Sequence, residues 1–147
     1  MALIEFSILG VPKNWSNFSA HRYVQYNEKK EWLETTTILG RNARVKAGCL
    51  PAEKGHDQRT IRIHQYRKRL LDKDGLYTSG KPIIDGLKTI LRRKITEGPE
   101  KGKFLDVPGA GLIWNDDAKH CDWFVTQELA SGRDQKITIQ VEIPETV

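Results

Sequence analysis

Apolar and polar positions alternate over Ala2–Leu9, with Ile4, Phe6 and Ile8 on one side and Leu3, Glu5, Ser7 and Leu9 on the other, which predicts a first strand. A second alternation over residues 58–66 sets Arg59, Ile61, Ile63 and Gln65 against Gln58, Thr60, Arg62, His64 and Tyr66, the mark of a half-buried strand. Residues 122–129 and 135–143 read as a closing hairpin joined by Ala130-Ser131-Gly132-Arg133-Asp134, with Ile137, Ile139, Val141 and Ile143 turned inward. The period becomes helical over residues 26–47, where Trp32, Leu33, Leu39, Ala43 and Val45 recur; Asn27 is the expected N-cap and Gly48 the expected stop. A second helix is expected to open at Ser79 or Gly80, with Pro82 in its first turn, and to end at Arg92-Arg93-Lys94. Its buried stripe is Ile83, Ile84, Leu87, Ile90 and Leu91. Residues 96–111 hold Gly98, Pro99, Gly102, Pro108, Gly109 and Gly111 and predict a mobile loop, followed by a short strand at Leu112-Ile113-Trp114. With no internal repeat and no linker, the chain predicts one α/β domain over residues 1–147, a mixed sheet packed against two main helices.

Composition narrows the class. Apolar residues make up 38% and charged residues 29%, and no apolar run approaches the roughly 20 residues that span a bilayer, so no membrane partner is expected. The first ten residues lack a basic flank and carry Glu5 inside the apolar run, unlike a secretory signal. Cys49 and Cys121 are too few for a disulfide framework, and a reducing cytoplasm is the expected location. Twenty-four Lys and Arg against nineteen Asp and Glu give a net charge of +5, which points towards polyanions and points harder if several carboxylates are gathered in one pocket.

Candidate chemistry lies in Asp72-Lys73-Asp74-Gly75-Leu76, in Lys81-Pro82-Ile83-Ile84-Asp85-Gly86-Leu87, and in Ile113-Trp114-Asn115-Asp116-Asp117. Carboxylates placed where loops hand over to regular elements suit Mg²⁺, which takes a few carboxylate oxygens and keeps several waters. An EF-hand does not fit, because Gly75 comes two residues early and no Glu closes the loop. His21, His56, His64, His120 and the two Cys have no zinc spacing and read as structural or exposed. Asp85 is equally a metal contact and the partner of Lys88 on a helix surface. Arg67, Lys68, Arg69, Lys73, Arg92 and Arg93 are the candidates for DNA phosphates. The turn residues Asn14, Ser16, Asn17 and Ser19, beside Trp15 and Phe18, are either a connecting loop or a second phosphate contact.

Asp-x-Asp-x-Leu, then Lys-x-x-x-Asp-x-Leu opening a helix, then an apolar strand ending in Asp-Asp, resembles the RusA family of Holliday junction resolvases over residues 68–117. The resemblance implies a RusA-like fold, a homodimer, Mg²⁺ dependence with Mn²⁺ as a substitute, and symmetric nicking of four-way DNA junctions in recombination and repair. By position it makes Asp72, Asp74 and Asp117 catalytic metal ligands and Lys81 the active-site lysine, with Asp116 and Asp85 as further acidic neighbours. Two features depart from the family: Gly75 stands where Asn is common, and the link from Asp74 to Lys81 is longer. Two other functions fit the same residues, a nucleic-acid-binding module that does not cut and a nuclease of broader habit acting on flaps and forks.

Overall fold

The computed structural model describes residues 2–12 and 22–144, so the reading of Asn14, Ser16, Asn17 and Ser19 lies outside the described residues. Strand β1 (Ala2–Leu9) forms where the alternation predicts it, burying Ile4 and Ile8 while Glu5 and Ser7 face out. Helix α1 (Arg22–Lys46) begins four residues before the expected start, which places Asn27 inside the helix rather than at its cap. Its end is as expected: Gly48 takes φ +74°, where a side chain is strained, and donates its N–H to the Val45 carbonyl at 3.0 Å.

Strand β2 (Arg59–Arg67) is an inner strand of a four-stranded sheet whose order is β1, β6 (Lys136–Ile143), β2 and β5 (Cys121–Leu129). Strand β5 (Cys121–Leu129) runs parallel to β2, and strand β6 (Lys136–Ile143) is antiparallel to both β1 and β2. The expected hairpin of the last two strands is therefore replaced by a pair split apart by β2. Burial explains the arrangement: Ile61, Ile63 and Gln65 are fully buried, and a central position gives their backbone partners on both sides. The sheet turns Ile4, Ile8, Ile61, Ile63, Ile137, Ile139 and Val141 towards the two helices, and its other face carries Arg62, His64, Thr138, Gln140 and Glu142. Two layers result, with a mixed sheet under two helices. No helix among the described residues is long and apolar enough to cross a membrane.

Helix α2 (Lys73–Leu87) starts six residues before the expected cap. Asp72 is the N-cap, its carboxylate accepting the Gly75 N–H at 2.7 Å, and Asp74 adds negative charge in the first turn. Capping and dipole favour this start over the Ser79-Gly80 opening. Gly80 then serves close packing, since a Cβ there would lie 2.7 Å from Val125 Cγ2 on β5. The helix also stops earlier than expected, so Arg92, Arg93 and Lys94 belong to strand β3 (Ile90–Lys94). That strand pairs antiparallel with β4 (Phe104–Pro108), so the expected mobile loop supplies one strand of an ordered ribbon. Leu112-Ile113-Trp114 forms no strand of either sheet and makes a single parallel bridge from Ile113 to Lys88.

Arg67 needs a correction. It is 5% exposed, its guanidinium bonded to the Gln65 side chain and the Pro12 carbonyl, and burial pulls its pKa down to about 10. A buried guanidinium that ties the turn after β1 to the sheet is not placed to grip DNA phosphates. Arg67→Ala should cost about 2–4 kcal/mol, from lost packing and stranded acceptors. Urea denaturation checks the cost, and a folded variant with a weaker salt dependence of DNA binding would return Arg67 to the interface.

Candidate functional site

The C-terminal half of α2 and its C-cap Lys88 present Thr78, Lys81, Asp85 and Lys88 at spacings of three or four residues, which lines up the first three on one helical face with Lys88 just beyond it. The segment after Ile113 crosses that face. Lys81 donates to Asp116 and lies 3.5 Å from Asp85, while Lys88 lies 3.3 Å from Asp85 and 3.8 Å from Asp116. Two carboxylates thus contact the same two ammonium groups. Burial alone would lower the Lys81 pKa, but the hydrogen bond to Asp116 and the charges of Asp85 and Asp116 leave it above its ordinary value. Burial likewise opposes ionisation of Asp116, and the Lys81 hydrogen bond with the charges of Lys88 and Lys81 outweighs it, leaving Asp116 below the usual carboxylate range. Both groups stay charged at neutral pH, so Lys81 acts as a fixed cation and not as a base.

The strand-like segment is held from several sides. Ala110, Leu112 and Ile113 give their N–H groups to the Gly86 and Leu87 carbonyls at 2.9–3.1 Å, satisfying the end of α2. Arg41 and Arg44 of α1 donate to the carbonyls of Pro108, Gly109 and Ala110 at 2.9–3.2 Å. Arg59 donates to the Leu112 carbonyl at 2.6 Å. Further on, His56 accepts the Trp114 N–H at 3.0 Å, and its other ring nitrogen lies 2.6 Å from the Asp57 carbonyl. His120 accepts the Gly55 N–H at 3.0 Å, which fixes the proton on Nδ1, 2.6 Å from Asp117. Asp117 is held below its ordinary pKa, first by this hydrogen bond. The two histidines, read from the sequence as structural or exposed, fasten both ends of the Trp114 to Asp117 turn. Burial and the charges of Asp116 and Asp117 push the nearby Cys121 thiol up to about 11, which rules it out as a nucleophile at neutral pH.

Burial holds His56 below its ordinary pKa, against a smaller upward pull from its hydrogen bond to Asp57. The unfolded chain takes up a proton near pH 6.5 while the folded ring resists it. His56 therefore contributes its full stability above about pH 6.5, and the contribution drains away as the pH falls below that value. The melting temperature should drop between pH 7.5 and 5.5 by more in the wild type than in His56→Gln; equal drops would remove His56 as the cause.

The expected acidic centre is only partly brought together. Asp85 and Asp116 are brought together through the ammoniums of Lys81 and Lys88. Asp72 and Asp74 stand at the other end of α2, with Asp74 about 10 Å along the axis from Lys81, and Asp117 turns to His120. Among the described residues no group of three or more His, Cys, Asp or Glu side chains is placed to hold a metal. A centre built from Asp72, Asp74 and Asp117 is therefore not assembled. The Asp85 and Asp116 carboxylates are each paired with the Lys81 and Lys88 ammoniums.

Lys81, Asp85 and Lys88 line an open cleft of about 1180 Å³ between α1, α2 and the β3–β4 ribbon. Seven basic side chains line it against three acidic ones, and Arg92 and Arg93 stand on its ribbon wall. Lys29, Lys30, Lys88 and Lys94 join them, although the sequence did not single them out as phosphate contacts. For Lys88 the signal was its spacing of seven from Lys81. Lys68, Arg69 and Lys73 are exposed but are not part of the lining. No family model matches the chain, and neither the curated proteins nor the solved structures contain a match to it.

Proposed function

We propose that this protein is a Mg²⁺-dependent endonuclease of branched DNA, with the four-way junction as its substrate. One observation carries the reading: Lys81, which with Asp85 of α2 lines a strongly basic cleft, is paired with Asp116, 35 residues further along the chain. A cleft of this charge attracts the phosphate backbone and releases its counterions. Asp85 and Asp116 are the residues that would hold Mg²⁺, and the ion would supply an activated water and a counter-charge for the departing oxygen. Lys81, kept protonated by its neighbours, places positive charge beside the phosphate, and Lys88 binds and orients the strand. A homodimer suits a substrate with two equivalent strands, and residues 68–117 resemble the RusA family, although the reaction would here use Asp85 and Asp116 rather than the Asp72, Asp74 and Asp117 that the resemblance implies.

A second reading, a DNA-binding module that does not cut, is favoured by the neutralisation of both carboxylates by Lys81 and Lys88. The test is cleavage of a mobile four-way junction in Mg²⁺ or Mn²⁺, beside flap, fork and linear duplex, with Asp116→Asn as control. Paired symmetric nicks that vanish in the variant support the resolvase. Equal cutting of flaps and forks favours the broader nuclease, binding without cutting favours the module, and neither binding nor cutting sinks all three.

A further inference from the structure

The β3–β4 ribbon is the feature that the charged quartet leaves unused. Its strands pair over five residues, from Ile90 with Pro108 to Lys94 with Phe104. The connection beyond them is closed by Ile95 N–H to the Lys103 carbonyl and Gly102 N–H to the Ile95 carbonyl, both at 2.9 Å. Gly98 and Gly102, at φ +85° and +92°, make the reversals that this closure needs. The result is a hydrogen-bonded finger in a sheet of its own, packed chiefly on itself.

A lone two-stranded ribbon is marginally stable in water, and this one keeps Phe104 and Leu105 half exposed. The Arg92 guanidinium lies 4.2 Å over the Phe104 ring, which holds the cation outstretched on the ribbon surface. Lys94 shares the Arg92 side of β3, and at the tip Lys101 and Lys103 stand against Glu97 and Glu100, with Lys103 pairing with Glu100 at 3.0 Å. Five residues of strand span about 17 Å, and a two-stranded ribbon is a shape that the roughly 12 Å major groove of B-DNA admits. The finger also forms one wall of the cleft beside Lys81 and Asp85.

The geometry points to the β3–β4 ribbon as a groove-docking finger that enters the major groove of a duplex arm next to the cleft, with Arg92, Lys94 and Lys101 on its phosphates. This deepens the proposed function and rests on the substrate being DNA. It assigns the partner surface as double-stranded, and the cleft as the place where the adjoining strand lies.

The experiment uses the full chain, a four-way junction and a single-stranded 30-mer. Arg92→Gln with Lys94→Gln removes two exposed charges and keeps much of the side-chain length; Lys101→Gln alone serves as the variant least able to disturb folding. Junction affinity is measured across salt concentrations, with guanine N7 methylation interference on the arms. The double variant should lower the slope of log affinity against log salt by about 2, close to 0.9 for each phosphate that it no longer neutralises. N7 methylation should block the wild type and lose its effect in the double variant. If the wild type binds the junction while all slopes and interference patterns stay the same, the finger is overturned and DNA binding stands. An equal loss on the single strand without N7 interference also overturns groove docking. A wild type that binds no DNA overturns the underlying reading and the finger with it.

Discussion

Asp116→Asn should lower Mg²⁺-dependent cleavage of a four-way junction by at least about a hundredfold while junction binding holds or tightens. Asp116 is the one side chain that reaches both Lys81 and Lys88 from outside α2, among the described residues, so its charge sets the field of the whole quartet. Removing that charge leaves Asp85 as the only carboxylate of the quartet facing the two ammoniums, and makes a basic cleft more basic. Stability should move little, because these ion pairs are partly exposed and such pairs contribute about 1 kcal/mol or less. Rate and affinity therefore part company, which simple unfolding does not produce. Asp74→Asn, at the far end of α2, is the companion variant. A loss of cleavage there with normal cleavage in Asp116→Asn would move the centre to the helix N-terminus and sink the assignment.

The strands of the main sheet were legible because their alternation is a local property: Ile4 and Ile8, or Ile61 and Ile63, are buried on the side the period of two requires. Their pairing was not legible. Nothing local to residues 121–143 says that β2 will lie between β5 and β6; that follows from the need to bury β2 on both edges. Helix α2 shows the same division. The stripe Ile83, Ile84 and Leu87 was read correctly, but Gly75 and Gly80 masked a start that Asp72 fixes by capping. Its end was misread because Ile90 and Leu91 keep the helical spacing past Leu87, whereas the turn there is set by Thr89, whose N–H donates to the Ile113 carbonyl at 2.8 Å. For the site, Lys81, Asp85 and Asp116 were named from the sequence and do meet. Asp72 and Asp74 were named by the same pattern and do not join them, because Asp72 caps a helix that runs on for two further turns before Lys81. Arg67 and the lysines of the cleft show why charge counts mislead: burial and orientation decide which cations reach a ligand, and neither is written in the composition.

Gly109→Ala should be the most damaging of the small substitutions, lowering stability by about 3 kcal/mol and the melting temperature by roughly 6–12 °C. A Cβ at Gly109 would lie 1.9 Å from the Lys88 carbonyl oxygen and 3.0 Å from its carbon, and backbone cannot swing away as a side chain does. The clash falls at the hinge of the site. Gly109 donates to the Thr89 carbonyl at 2.9 Å, and Gly111 donates to that same Lys88 carbonyl at 3.3 Å. Moving Lys88 therefore loosens the root of the ribbon, the cap on α2 and one of the two ammoniums facing Asp85 and Asp116. Gly10→Ala is the contrast, because Gly10 has φ +86° with nothing within 4 Å of the added Cβ, so it meets only the left-handed penalty of about 1–2 kcal/mol. Thermal melts of the two variants compare a steric clash with backbone strain alone. If Gly109→Ala melts no lower than Gly10→Ala, the close approach of residues 108–112 to the end of α2 is wrong, and the positioning of Asp116 that depends on it is wrong too.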